Sequence, residues 1–201
     1  KEEEIFSSSG ACLIFRKNIL GLPFDEGYFA YSEDVYLGLR ARFLGYKIHH
    51  TNNSSIFHLE GGTFKKESNQ FRTFLQERNR LLNMFLFFTM KTNIKLIPIY
   101  FFNIVSKVGA TLLLGWHVKY RKFSLRGLVQ AYTWLIKNIM LIKKKRDQLK
   151  QQKKIDENEV IRFMTYKLDN GENIAGKILN LFAKIYFRLV NIKTYEFYEH
   201  D

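Results

Sequence analysis

Apolar positions along the chain change their rhythm once, near residue 67. Before that point they come in short runs separated by turn formers. "IFSSSGACLIFR" (5–16) reads as a loop entering a buried strand, which Arg16 and Lys17 end. "KNILGLPFDEG" (17–27) reads as a turn of helix and then a Pro/Asp/Gly turn. Ser32 predicts an N-cap. Val35, Leu37, Leu39, Phe43 and Leu44 make the following helix mostly apolar, and Gly45 stops it at C′. "YKIHHT" and "SSIFHLE" predict two short strands joined by the turn-former "NNS". From Ser68 onward the spacing is helical, with breaks near Lys91–Asn93, Arg121–Ser124, Asp156–Asn158 and Asp169–Gly171. No internal repeat interrupts this pattern. The expectation is an α/β piece over residues 1–67 and an all-helical piece over 68–201.

Composition narrows the class. A chain of 201 residues that is 46% apolar and 16% aromatic supports one domain with a real core, or a domain plus an appendage, and excludes wholesale disorder. The lone Cys12 excludes a disulfide framework and a cysteine-based zinc site, and fits a reducing compartment. The first residue is Lys1, not Met, and no apolar signal segment precedes the first charges. Lys1 is therefore expected to be internal to something longer.

Charge changes the picture more. The segment from Lys91 to Lys154 carries 15 Lys and Arg against one acid, Asp147, a net +14; the rest, with 17 bases and 18 acids, is −1. The same segment holds "LIPIYFFNIV", "GATLLLGW" and "LVQAYTWLIKNIMLI". Basic helices with aromatics suit nucleic acid, but clustered large apolar residues oppose that reading, so no nucleic-acid partner is expected. Two readings stay open: core helices with a solvated basic face, or helices lying on an anionic membrane surface. For the second, Phe101, Phe102, Leu112, Leu113, Leu114, Trp116, Trp134 and Leu135 supply apolar contact, and Lys143, Lys144, Lys145 and Arg146 supply charge. A full span over Leu96–Val118 is disfavoured. Lys107 falls at its middle, where a charge costs about 2.5–3.5 kcal/mol, and Pro98, Asn103 and His117 add to that. A peripheral or re-entrant placement on the cytoplasmic face of the cell membrane fits better.

Several short motifs stand in a telling order. They are Ser9-Gly10-Ala11, Phe24-Asp25-Glu26, Tyr31, Glu33-Asp34, Leu39-Arg40-Ala41-Arg42, Gly45-Tyr46, His58, Gly61-Gly62 and Arg78-Asn79-Arg80-Leu81. Over about residues 5–90 this series resembles the C-terminal half of a family 2 glycosyltransferase catalytic domain, most closely the rhamnosyltransferase-like subgroup of cell-surface polysaccharide synthesis. The resemblance implies an α/β fold: the C-terminal half of a GT-A, Rossmann-like domain, followed by an all-α helical extension. The nucleotide-binding βαβ half and its Asp-x-Asp signature do not lie in these residues, and Leu22-Pro23 stands where relatives often have Gly-Gly.

The resemblance also implies a chemistry. Inverting transfer from a nucleotide-sugar donor needs a base to take the proton of the attacking acceptor hydroxyl. Asp34 would be that base, aimed by the start of its helix, with Glu33 beside it to bind acceptor hydroxyls. Tyr28, Phe29 and Tyr31 would offer ring faces to a sugar. His58 would help hold a divalent cation, Mg or Mn, and Gly61-Gly62 would close over the donor. Arg78 and Arg80 would hold the diphosphate, or the phosphate of a lipid-linked acceptor.

Each assignment has a plainer counterpart. Acids in a first helical turn are ordinary capping electrostatics. His58 suits a strand end bonded to backbone, and Arg78 and Arg80 suit solvated charges near Glu77. A different class of function, a non-catalytic membrane- or partner-binding fragment, fits if the donor-binding half is truly lacking.

Overall fold

The computed structural model describes residues 3–16, 18, 21, 24–51, 53–58, 68–114, 123–168 and 174–197, without the side chains of 110, 113, 114, 174 and 175. Among these residues seven α-helices dominate: α1 (Glu33–Phe43), α2 (Asn69–Phe87), α3 (Met90–Leu114), α4 (Leu125–Lys137), α5 (Ile139–Gln152), α6 (Glu157–Ile161) and α7 (Ile174–Leu189). Two short 3₁₀ turns, Glu26–Tyr28 and Tyr195–Phe197, complete the helical content. The described strands are β1 (Glu3–Glu4) and β2 (His49–His50), paired antiparallel with Glu3 opposite His50.

This overturns the α/β, Rossmann-like expectation: the described chain is mostly helical, with a single two-stranded ribbon. The physical reason is ladder partners. A strand needs a neighbour to take its amides and carbonyls, and beyond the ribbon residues 5–16 find one such bond, from Ile5 N to Ile48 O at 2.9 Å. Ile14, expected in a buried strand, is fully exposed. So are Phe57 and, in large part, Ile56, and the run 54–58 forms no strand.

The helices follow from their ends. At α1, Gly45 takes φ +86° while its amide reaches Arg42 O at 2.8 Å and the Tyr46 amide reaches Ala41 O at 3.0 Å. That is a Schellman cap, as the Gly45 stop predicted. Ser68, Ser124 and Asp156 cap α2, α4 and α6 through their side chains. Glu157 at the start of α6 accepts bonds from Thr89 N and from both the Thr89 and Thr92 hydroxyls, which places a carboxylate at the N-terminus of α3. The α2–α3 break falls at Phe88–Thr89, where Asn93 Nδ2 closes the carbonyls of Met84 and Phe88. A further break at Asn138, between α4 and α5, had no counterpart in the sequence pattern.

α2 is the central element. It packs on α4 and α5, and more lightly on α1 and α3. One hydrophobic cluster joins Tyr28, Tyr36, Leu39 and Phe43 to Leu82, Leu86, Phe87, Leu135, Ile142 and Val160, so it draws on both sides of residue 67. The Phe43 and Phe87 rings stack at 5.8 Å, and Tyr36 meets Phe87 edge-on at 5.3 Å. Where α4 crosses α2, Gly127 lies against the α2 backbone.

Lys153, at the C-cap of α5, closes the same core. Its ammonium lies 4.1 Å from the Phe43 ring centre and donates to Phe87 O. Desolvation, with Arg146 nearby, lowers its pKa to about 8. The unfolded chain, with a lysine near about 10.4, binds more protons between these values, so stability rises as pH rises through that window. Burial raises Tyr28 and Tyr100, which makes stability fall once tyrosines of the unfolded chain ionise above about pH 10. Chemical denaturation between pH 8 and 10 is therefore expected to show a gain of about 1 kcal/mol, since Lys153 is half-exposed and partly screened. Lys153→Met should flatten the rise; an unchanged slope would remove Lys153 as its source.

No helix among the described residues is long and apolar enough to cross a membrane. Lys107 of α3 pairs with the buried Glu77 of α2 at 2.9 Å.

Candidate active site

The segment from Gly27 to Asp34 forms a strained arch. Phe29, Tyr31 and Ser32 have φ of +62°, +66° and +61°, a region that costs non-glycine residues about 1–3 kcal/mol each. Ser32 precedes α1, but its side chain makes no capping bond there. The arch is held from below by α2. Asn79, fully buried, turns one amide nitrogen to three carbonyls: Tyr28 O at 3.0 Å, Ala30 O at 2.7 Å and Tyr31 O at 2.8 Å. One turn on, Asn83 Nδ2 donates to Ser32 O at 3.0 Å and Asn83 Oδ1 accepts from the Tyr28 hydroxyl.

Arg78 completes this support. Its guanidinium donates to Gly27 O and Tyr28 O, both at 2.9 Å, and to Asn79 Oδ1 at 2.8 Å. The rings of Phe74 and Trp134 lie 5.1 and 5.0 Å from it. Desolvation lowers its pKa. Arg78 is thus neither solvated nor paired with Glu77. Arg80 is the one paired with Glu77; it also donates to Asn103 Oδ1 at 3.2 Å, and its guanidinium lies 5.2 Å from the Tyr100 ring. The two arginines face different surroundings, one the arch and the other the α2–α3 contact.

What the arch presents is the acid pair. Across 24 residues of sequence, the Gly10 amide donates to Asp34 Oδ2 at 3.4 Å, so Ser9-Gly10 and Glu33-Asp34 do meet. A Cβ added at Gly10 would lie 3.7 Å from Asp34 Cβ and 3.9 Å from Glu33 Oε1. Asp34 Oδ1 accepts from the Val35 amide at 2.8 Å. Glu33 Oε2 is shielded from solvent and has no hydrogen-bond partner among the described residues.

The rings sort themselves by exposure. Tyr28 is buried in the core and presents no face to a ligand, contrary to the stacking expectation. Phe29 is 70% exposed and meets Phe71 edge-on at 5.9 Å; Tyr31 is half-buried. His58 is exposed, and among the described residues no group of three or more His, Cys, Asp or Glu side chains could hold a metal ion. His58 is thus not joined by two further such side chains among the described residues, and no step is derived through a divalent cation. Gly61 and Gly62 lie outside the described residues.

The sequence reading passed over Asn79 and Asn83 as functional residues. A signal was there: asparagine is a poor helix former, and both lie among Leu75, Leu82 and Leu86 at helical spacing. Such an amide on an apolar face is kept when it has backbone to hold. No family model, no curated protein and no solved structure matches this chain.

Proposed function

We propose that the Glu33-Asp34 pair is the acceptor-activating centre of an inverting glycosyltransferase, of which these residues form the C-terminal portion. The support is the order of the motifs together with one observation, the bond from the Gly10 amide to Asp34 that brings Ser9-Gly10 to the acid pair. In this reading Asp34 takes the proton from an acceptor hydroxyl as that oxygen attacks the anomeric carbon of a nucleotide sugar, whose bond to the nucleoside diphosphate breaks as the diphosphate leaves with the electron pair. Glu33, beside it in the same helical turn, accepts from a second hydroxyl of a glycan or lipid-linked acceptor and fixes its approach. Phe29 and Tyr31 flank the pair and offer apolar surface to the sugar.

The bond from the Val35 amide to Asp34 favours a second reading, in which the acids only start the helix. One substitution separates the two. Asparagine keeps the acceptor oxygen that the Val35 amide meets but is no base. In the full reading frame, assayed by nucleotide release over a panel of nucleotide sugars, Asp34→Asn is expected to lower turnover by about 10²–10⁴-fold with donor binding little changed. Wild-type turnover in that variant would leave the acids a capping role alone.

A further inference from the structure

The arch does not account for a second feature, a broad apolar surface on α3 and α7. Taking about 100° per residue, Ile94, Ile97, Phe101, Val105 and Leu112 fall within about 50° of their mean direction on α3. All five are exposed, Phe101 to 68%. On α7, Ile178, Leu181, Ile185 and Leu189 make an equally narrow stripe, also exposed.

Contacts orient the two stripes. Phe102 meets Phe182 at 4.4 Å, while Lys95 Nζ reaches Val190 O at 2.6 Å and Lys95 O accepts from the Tyr186 hydroxyl at 2.8 Å. The helices therefore run antiparallel. On each, the contact side lies roughly 60–120° from the stripe and in the same rotational sense. For antiparallel neighbours that sense turns both stripes to the same side, so they form one continuous face. Tyr100 and Lys107, on the opposite flank of α3, are turned to α2.

Charge identifies what such a face meets. α3 and α7 contain no acid. Lys177, Lys184 and Arg188 line the flank of the α7 stripe away from α3, where they rim the face. A second copy would bring the same cations against these and be repelled. An anionic bilayer supplies both apolar depth and negative head groups.

We infer that α3 and α7 form a docking face for an anionic membrane surface, with the stripes in the acyl boundary and the α7 cations among the head groups. This differs in place from the charge cluster the sequence suggested. Lys145 is bound to Asp25 at 2.6 Å, Arg146 donates to Phe85 O, and Phe102 and Leu135 are turned inward. The face stands independently of glycosyl transfer.

The test is flotation of the purified chain with vesicles of equal parts phosphatidylcholine and phosphatidylglycerol, against pure phosphatidylcholine. The wild type is expected to float with the anionic vesicles at low salt and much less with the neutral ones. Phe101→Glu and Ile185→Glu should each weaken binding about tenfold or more, and both sites are exposed enough to leave the fold intact. Lys177→Gln and Lys184→Gln, which leave the apolar stripe alone, should weaken anionic binding about fivefold each and leave neutral binding unchanged. Circular dichroism and melting of every variant guard against unfolding. Failure of the wild type to float at low salt would overturn the inference. So would variants that bind as wild type does, or a dimer in solution that Phe101→Glu dissociates.

Discussion

Asn79→Ala is expected to lose about 3 kcal/mol or more of unfolding free energy, since it leaves buried carbonyls of the arch without donors at about 1–3 kcal/mol each. The carbonyls concerned are Ala30 O and Tyr31 O; Tyr28 O keeps its bond from Arg78. The cost is not one of volume alone. Asn79→Asp keeps the shape but removes both amide protons and sets a carboxylate against the carbonyls, so it should be at least as damaging. Urea denaturation of the two variants measures this, with an unchanged m-value as the check that the same surface unfolds. If Asn79→Asp were tolerated with a loss below about 1 kcal/mol, the amide would not be what holds the arch. A second readout follows from the strain: Phe29, Tyr31 and Ser32 keep positive φ only while something holds them there. Hydrogen exchange at the start of α1 should therefore quicken in Asn79→Ala well before global unfolding.

Gly127→Ala and Gly109→Ala should move stability in opposite directions. An alanine Cβ at Gly127 would lie 2.3 Å from Gln70 O and 3.1 Å from Phe74 N, both backbone atoms of α2 that no side-chain rotation can clear. The helices must separate, and the α2–α4 crossing loosens. The cost is put at about 3 kcal/mol, the upper part of the overpacking range, even after alanine's better helix propensity of about 1 kcal/mol is credited. At Gly109 in α3 a Cβ meets nothing within 4 Å among the described residues. There the propensity gain stands nearly alone, and stability should rise by roughly 0.5–1 kcal/mol. Thermal melts decide it. Equal shifts at the two positions would show that the α2–α4 crossing is not set by Gly127.

Local signals were legible where they are complete within a few residues. Gly45 stops α1 because a left-handed residue and two backward amide bonds need only residues 41–46. Ser68 starts α2 for the same kind of reason, through its bond from the Phe71 amide at 3.2 Å. The run of apolar residues at helical spacing from Ser68 to Leu189 announced helices, although it hid the turn at Asn138, because Leu135 and Ile142, buried on either side of it, keep the i, i+7 spacing of one continuous helix. Of the expected strands, the run 46–51 contains β2, and the other two failed for the converse reason. Residues 5–16 and 54–58 have strand-like composition, but composition does not supply the neighbouring chain that a ladder requires.

The site divides along the same line. The sequence by itself determined which residues are acids, that Glu33-Asp34 lies at a helix start, and that α3 and α7 are apolar and without acids. Those properties belong to residue types and to the short helical period. Only the tertiary structure decided that Gly10 reaches Asp34, that Asn79 rather than Ser32 holds the arch, and that Lys107 is neutralised by Glu77. It also decided that two stripes far apart in the chain, one on α3 and one on α7, face one way. A hydrogen bond or a shared face between distant segments depends on where helices cross, and crossings are set by contacts such as Gly127 on the α2 backbone, which a one-dimensional pattern does not contain.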